Sequence, residues 1–262
     1  MKRTLILTLL FFTLALSLNA KGQMTVQDFE REVWRLTNVE RSKYGLAPLH
    51  YDEGLAALAK RHCVNMLQQN FFAHRDPWGD EVAGRKNKYY PELIITSIGE
   101  NLGKFTNSQR TFAPHECVTG WMNSPQHRAN ILDSGYTHLG VGIVLNGTEM
   151  YATQNFAAPI VKLHSQIPDK LSTKNIYRLS FEYMSGQDPR NISCTLIFPD
   201  PNATYQISDK QEMVGAMPLK INWNNKGTFE VDVPFRAGKG DYKLCFGFDG
   251  GYFPEGIALR AK

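Results

Sequence analysis

The sequence has little excess of either charge. It contains 29 basic and 25 acidic residues, and 27 basic residues remain once Lys2 and Arg3, at the start of an apolar leader, are set aside. A protein that binds nucleic acid or an anionic membrane through its overall charge carries a large basic surplus. The composition therefore favours neither partner. With 42% hydrophobic and 21% charged residues, it is typical of a globular protein that buries a core.

Long apolar runs are also missing after the first twenty residues. The start, MKRTLILTLLFFTLALSLNA, joins two basic residues to an apolar run from Leu5 to Leu18, with small or polar residues near Ala20. That run is too short to span a bilayer and is typical of a secretory signal peptide. We predict a signal peptide over residues 1–22, cleaved near Ala20–Gly22, and a secreted or periplasmic protein with no membrane span.

Cysteine is scarce, and the four cysteines of an exported chain would meet an oxidising compartment, in which disulfides form. Cys63, Cys117, Cys194 and Cys245 allow three pairings, and sequence alone does not choose among them. Because each pair then lies within one predicted domain, we predict the disulfides Cys63–Cys117 and Cys194–Cys245. The alternative is four buried free thiols.

Helical patterns dominate the chain before residue 160. Thr25 to Asp28 is typical of a capping box, and apolar residues follow at helical spacing. A second helix is predicted to begin near Asp52, and a third to run from Pro114 to Asn123. Asn146-Gly147 then separates two β-rich runs, which predicts a hairpin. This order predicts an α+β class, with a three-layer α-β-α sandwich over residues 24–158.

Short β-like runs dominate the rest of the chain. Pro159 and Pro168 interrupt a stretch of weak periodicity, so we predict a linker over residues 159–170. Regularly spaced strands separated by turn residues predict a small all-β sandwich over residues 171–262. The predicted strands are 177–183, 192–198, 219–223, 228–233, 242–248 and 257–260.

Common catalytic motifs are absent. The sequence contains no HExxH pair, no nucleophile elbow and no catalytic Cys–His signature. The segment GWMNSPQHRANIL nevertheless places a histidine between core-like residues. Ser124 and Pro125 predict a helix start, in which Ser124 acts as a cap and not as a nucleophile. His127 then falls in the first turn, where it either packs beside Trp121 or serves a site.

Several segments of the first domain match a known family in order and spacing, over about residues 28–157; they are NVERSKYGLAPLHYDEGLAALAKRHCVNMLQQNFFAHRD, SIGENLG, VTGWMNSPQHRANIL, YTHLGVGIVL and YATQNF. With these segments the domain resembles the bacterial branch of the CAP superfamily (SCP-like), which groups cysteine-rich secretory proteins, antigen 5 and plant pathogenesis-related proteins. The resemblance implies an α-β-α sandwich with a groove lined by histidines and glutamates. It assigns His74, Glu100 and His127 to that groove. Without the resemblance, His74 and Glu100 are equally able to hold their loop by bonding its backbone.

The sequence offers two candidates for the fourth groove residue that the family implies. Ser124 occupies the position of the second glutamate found in the eukaryotic branch, and Glu116 is the nearby carboxylate on the same helix. His74, His127 and Glu100 are predicted to hold a divalent metal such as zinc with one open position. We interpret the remaining histidines before residue 160 as surface or packing residues; they are His50, His62, His115 and His138.

Two functions from different classes follow. The first is a secreted protein whose groove binds a lipid, peptide or cell-wall ligand. The second is a metal- or acid/base-assisted hydrolase acting on peptide or cell-wall substrates. Whether the protein is an enzyme is therefore left open. A third hypothesis is that the β-sandwich recognises the ligand. In it, Trp223, Tyr252 and Phe253 would stack on sugars, unless they are core residues.

Overall fold

The computed structural model describes residues 24–208, 211–224 and 227–262. The predicted signal peptide lies outside these residues. Within the described ranges, no helix is long and apolar enough to cross a membrane. The helices are α1 (Val26–Lys43), α2 (Glu53–Gln68), α3 (Val82–Tyr89), α4 (Pro114–Met122) and α5 (Pro125–Leu132), with a short 3-10 turn at Pro189–Asn191.

The strands form three sheets. In chain order they are β1 (His50–Tyr51), β2 (Leu93–Thr106), β3 (His138–Asn146), β4 (Glu149–Leu163), β5 (Ile176–Tyr183), β6 (Ile192–Ile197), β7 (Thr204–Ser208), β8 (Gln211–Val214), β9 (Ala216–Leu219), β10 (Ile221–Trp223), β11 (Thr228–Pro234), β12 (Gly240–Phe248) and β13 (Gly256–Ala261). The largest sheet has the order β1-β3-β4-β5-β11-β10, with β2 also paired to β4. A second sheet has the order β13-β12-β6-β9, and β7 pairs with β8.

The helix starts follow the local sequence. At α1, the Thr25 hydroxyl accepts a hydrogen bond from the Asp28 backbone N–H, and the Asp28 carboxylate bonds back to Thr25, as the capping box predicts. At α2, the Asp52 carboxylate accepts from the Leu55 N–H at 2.7 Å. Pro125 occupies the first turn of α5, and Ser124 precedes it at the cap position.

The N-terminal part is the predicted α-β-α sandwich. Leu139, Val141 and Ile143 on β3 point to one face of the sheet, where they pack with residues of α1, α4 and α5. Gly140 and Gly142 point to the other face, where the backbone of α2 lies against them. The alternation of one strand therefore fixes which helices lie on which side.

Strand β4 continues beyond the predicted end of the first domain. Residues 159–163, expected to begin the linker, are part of β4, and Val161 to Leu163 pair with β5. Pro159 is tolerated because β3 has ended by then and the pairing with β2 shifts register at this point. The linker is therefore shorter than predicted, and one sheet runs through both parts of the chain.

The C-terminal part is the predicted β-sandwich. Strands β5, β11 and β10 form one of its layers, and the four-stranded sheet forms the other. Phe181 and Phe229 stack with centroids 5.3 Å apart, and the Phe246 ring of the opposite sheet lies 4.9 Å from Phe181. This core also includes Ile94, Ile160 and Val161 from the N-terminal part.

Neither predicted disulfide is present, because Cys63, Cys117, Cys194 and Cys245 are free and buried. Cys63 contacts Gly142 and Thr153 on the α2 face of the sheet, whereas Cys117 packs in the cluster on the α1 face. Cys194 pairs with Phe246 and Cys245 with Thr195, so the two thiols are offset by one residue. A one-residue offset places side chains on opposite faces of a sheet, so both predicted pairings are wrong.

Candidate functional site

Three of the predicted site residues meet at one edge of the central sheet. Strand β2 carries Glu100 and pairs with β4, opposite Asn155, and its other edge is not paired with any of the described strands. His74 reaches this edge from the loop after α2, and His127 reaches it from α5. We call His74, Glu100 and His127 the edge site.

Each oxygen of Glu100 accepts a hydrogen bond from a basic side chain. Its Oε1 accepts a hydrogen bond from His74 Nδ1 at 2.9 Å, and its Oε2 accepts from Arg85 Nη2 at 2.5 Å. The side chains of Glu100 and Arg85 are almost inaccessible, whereas the His74 side chain is 57% exposed. A buried carboxylate needs such partners. Glu100 therefore links the core to an exposed imidazole.

Arg85 on α3 also holds the loop that carries His74. Its Nη1 donates to the His74 carbonyl at 2.7 Å and to the Asp80 carbonyl at 2.9 Å. The buried Asp76 carboxylate accepts from the backbone N–H groups of Trp78 and Asp80 at 3.0 and 2.9 Å. The buried side chains of Arg85 and Asp76 therefore both hold the loop backbone in place.

The fixed loop presents two large apolar side chains to solvent. Phe72 is 48% exposed and Trp78 is 60% exposed, and they flank His74 in the sequence. The loop backbone between them is held again at Ala73, whose carbonyl lies 3.0 Å from Nε2 of the buried His62. Exposed aromatic residues on a fixed backbone are typical of a surface that contacts a ligand.

Helix α5 is attached to the same edge by asparagine side chains. Asn101 Nδ2 donates to the His127 carbonyl at 3.0 Å, and Asn130 Nδ2 donates to the Glu100 carbonyl at 3.2 Å. Asn130 also donates to the Asn101 side chain at 2.8 Å. These bonds satisfy part of the strand edge and hold the half-buried His127 beside β2.

The two histidines of the edge site have pKa values shifted in opposite directions. The hydrogen bond that His74 donates to Glu100 raises the pKa of His74 above its ordinary value, although partial burial opposes it. Burial lowers the pKa of His127, and the positive charge of His74 lowers it further. The arrangement therefore favours protonation of His74 over protonation of His127.

Comparisons with known proteins identify the N-terminal part. Residues 34–156 match the family model described as CAP, the cysteine-rich secretory protein family. Residues 34–156 are therefore similar to the CAP family, and we call the N-terminal part of the chain the CAP domain after this match. The chain is 38% identical over 124 residues to the Bacillus subtilis protein YkwD and 35% identical over 127 residues to the Bacillus subtilis membrane protein YlbC. These matches take in 47% and 48% of this chain, and the chain spans 46% and 34% of those relatives.

Solved structures show the same kind of similarity. An extracellular protein of Bacillus anthracis that contains an SCP domain is 27% identical, with a TM-score of 0.43; the match covers 52% of this chain and 44% of that chain. A cysteine-rich secretory protein of Staphylococcus aureus is 22% identical, with a TM-score of 0.41; its match covers 52% of this chain and 40% of that chain.

The structure places Glu116 and Ser124 of the CAP domain apart from the hydrogen bonds of the edge site. Glu116 accepts from the Ala113 backbone N–H at 3.0 Å, so it caps the start of α4. It also lines a cavity with Lys104 and Phe112, near the far end of β2. Ser124 occupies the cap position of α5, but its hydroxyl makes no cap hydrogen bond there. Ser124 therefore stands at the predicted cap position without making the cap hydrogen bond.

The donor atoms of the CAP domain do not fit the predicted metal site of three protein ligands. Among the residues that the structure describes, no group of three or more His, Cys, Asp or Glu side chains is arranged to hold a metal ion. Both oxygens of Glu100 are in use, one of them by a guanidinium. The edge site offers a metal ion two imidazoles, and Glu100 orients one of them, that of His74, through its hydrogen bond. Zinc at this site stays a prediction.

Sequence reasoning missed Arg85 and the surroundings of His62. Arg85 lies in a run of basic and polar residues, GRKNKYY, which is typical of a solvated helix and gave no signal. His62 was predicted to be a surface or packing residue, and it packs: it is fully buried, and burial lowers its pKa. Its place three residues after Ala59 and four before Met66 was the available signal, because that spacing puts it on the buried face of α2.

Proposed function

We propose that this protein is exported and that its edge site binds cell-wall material, among the lipid, peptide and cell-wall ligands that the sequence predicts. The observation that carries the proposal is the use of Glu100. Because both of its oxygens accept hydrogen bonds from cations, the carboxylate positions His74 and its loop. A general base needs an accessible lone pair for the proton that it removes. Glu100 therefore serves binding better than proton transfer.

The aromatic side chains of the loop favour a sugar-containing ligand. Phe72 and Trp78 are exposed on the loop that carries the polar His74. A sugar ring has apolar faces and hydroxyl edges, so it matches an aromatic surface with hydrogen-bonding groups beside it. A lipid chain would offer no hydrogen-bond partner to His127 or to the second ring nitrogen of His74. We therefore place the glycan part of cell-wall material at this surface.

The two histidines support a second candidate, an acid/base hydrolase acting on the same material. They lie at one edge of the sheet, and neither is buried beyond reach of solvent. Their pKa values are shifted apart, which is the arrangement of a proton donor beside a proton acceptor. In this candidate His74 donates the proton and His127 removes one from water.

Sedimentation with insoluble purified cell wall tests the binding proposal. We expect the wild type to pellet with the wall and Trp78→Ala to bind roughly tenfold more weakly, because a large ring loses its contact area. Trp223→Ala is the matched control, since Trp223 is 40% exposed but lies in the sandwich. If Trp223→Ala loses binding and Trp78→Ala retains it, the sandwich and not the edge site binds the cell wall.

The supernatant of the same assay separates binding from hydrolysis. Release of soluble wall fragments by the wild type but not by His127→Ala would establish the hydrolase instead. Binding without release, in both proteins, supports the binding function. If neither protein binds the wall and both bind vesicles of phosphatidylglycerol, the ligand is a lipid and the proposed glycan is wrong.

A further inference from the structure

A cavity lies where the CAP domain meets the sandwich, away from the edge site. Its volume is about 730 Å³, within the roughly 300–1,000 Å³ range of small-ligand pockets. Its wall combines residues of α3 and the loop before β2 with the end of β4, the segment that follows β4, strands β12 and β13, and the loop between those two strands. The residues that matter here are Lys86, Glu92, Leu163, Ile167, Lys243 and Glu255. We call this the junction cavity.

The cavity is preformed, because its two sides are tied together. The Lys86 side chain is 1% exposed, and its ammonium donates to the Leu93 carbonyl at 2.8 Å and to the Glu255 carboxylate. Lys86 belongs to the CAP domain and Glu255 to the sandwich, so this buried ion pair spans the junction. The pairing of β4 with β5 joins the same two parts through the backbone. A ligand would meet walls that are already in place.

Two charges of the cavity remain uncommitted. Lys243 bonds weakly to the Pro254 carbonyl at 3.3 Å, and among the described residues neither it nor Glu92 has an ion-pair partner. The ammonium comes from the sandwich and the carboxylate from the CAP domain. Leu163 and Ile167, both partly buried, supply apolar surface to the same cavity. The cavity thus offers one positive group, one negative group and an apolar wall.

We propose that the junction cavity binds a short peptide with free ends, its ammonium at Glu92 and its carboxylate at Lys243. A fatty acid would satisfy Lys243 and leave Glu92 facing an apolar chain, and an organic cation would leave Lys243 unpaired. A neutral sugar would satisfy neither charge. A dipolar ligand satisfies both, and apolar side chains of the peptide contact Leu163 and Ile167. This site is independent of the proposed function of the edge site.

Titration calorimetry of the full chain tests the inference with three probes: the tripeptide Ala-Leu-Ala, its N-acetylated form and its C-terminal amide. We expect the free tripeptide to bind and each blocked form to bind roughly tenfold more weakly, the effect of losing one charge-assisted hydrogen bond. Lys243→Gln should no longer distinguish the free acid from the amide. Glu92→Gln should no longer distinguish the free amine from the acetylated form.

Matched controls locate the binding. Lys239→Gln removes an exposed ammonium close in sequence that does not line the cavity, and it should behave as the wild type does. Trp78→Ala should also keep full tripeptide binding, so failure of the edge-site proposal would not affect this test. No heat of binding up to about 10 mM tripeptide, equal binding of all three probes, or loss of binding in Trp78→Ala would each overturn the inference.

Discussion

Single residues in this protein carry charge and polarity into the core, and each depends on a specific partner. Arg85 and Glu100 form a buried pair, and Arg85 extends it to the His74 carbonyl. Removing one partner of such a pair leaves an unpaired buried charge, which typically costs about 3–5 kcal/mol. The exposed ring of His74 is therefore positioned from inside the protein, and its function depends on residues that no ligand touches.

His138 shows how burial of one ring makes stability depend on pH. Burial, and then the neighbouring His50, lower the pKa of His138 to about 4. The two rings lie 5.3 Å apart, and the Thr137 hydroxyl is 2.9 Å from His138 Nδ1. The unfolded chain, with an ordinary histidine pKa near 6.5, binds the proton more readily than the folded chain between pH 4 and 6.5. The contribution of His138 is fully present above pH 6.5 and is lost as the pH falls towards 4.

We predict that His138→Gln removes about 3 kcal/mol from the change in unfolding free energy between pH 4 and 6.5, because glutamine does not titrate. Urea unfolding at a series of pH values measures this difference. The control His115→Gln changes an exposed ring and should leave the pH dependence unaltered. A wild-type slope retained in His138→Gln would mean that other groups take up the proton.

At the scale of elements, the spacing between α2 and β3 depends on two glycines. A Cβ at Gly142 would lie 2.1 Å from the Lys60 backbone N, and one at Gly140 would lie 2.1 Å from the Ala56 backbone N. Both contacts are with backbone, which has no rotamer to change. The alternation in HLGVGIVL therefore encodes the close approach of a helix on one face and an apolar core on the other.

We predict that Gly142→Ala destabilises the protein by about 1–3 kcal/mol, because α2 must move away from the sheet to admit the methyl group. Gly186→Ala is the control: nothing lies within 4 Å of a Cβ there, so the change should stay within about 0.5 kcal/mol. Chemical denaturation of the two variants compares them directly. Equal midpoints for Gly142→Ala and the wild type would show that α2 is not packed this closely.

The sequence predicted those elements that depend on short stretches of adjacent residues. The capping box of α1, the start of α2 at Asp52 and the hairpin of β3 and β4 were all predicted from a few adjacent residues, although the turn residues are Gly147 and Thr148 and not Asn146 and Gly147. The family resemblance added His74, Glu100 and His127. What failed depends on how distant elements pack. Pro159 indicated a linker, since no local signal shows that β3 has ended beside it. The sequence displays neither the strand register that separates Cys194 from Cys245 nor the sheet faces on which Cys63 and Cys117 lie.

At the scale of the whole molecule, the CAP domain and the sandwich share structure. Ile94, Ile160 and Val161 of the N-terminal part are buried in the sandwich core. Strand β4 pairs with β2 and β3 along most of its length and with β5 at its end. The buried Lys86–Glu255 pair adds a third connection. Separating the two parts would expose apolar residues and leave a buried lysine without its partner, so we expect them to unfold together.

We predict that a truncation in the sandwich core destabilises the CAP domain as well. Phe229 is fully buried, and Phe229→Ala should cost about 3–5 kcal/mol, which lowers the melting temperature by roughly 6–20 °C. Scanning calorimetry should show one heat-absorption peak in wild type and variant, with equal calorimetric and van't Hoff enthalpies. Amide exchange on β3, in the CAP domain, should speed up by the same free energy. Phe72→Ala, at an exposed ring, is the control and should leave both measurements unchanged. Two peaks, of which Phe229→Ala shifts one, would mean that the shared sheet does not couple the two parts.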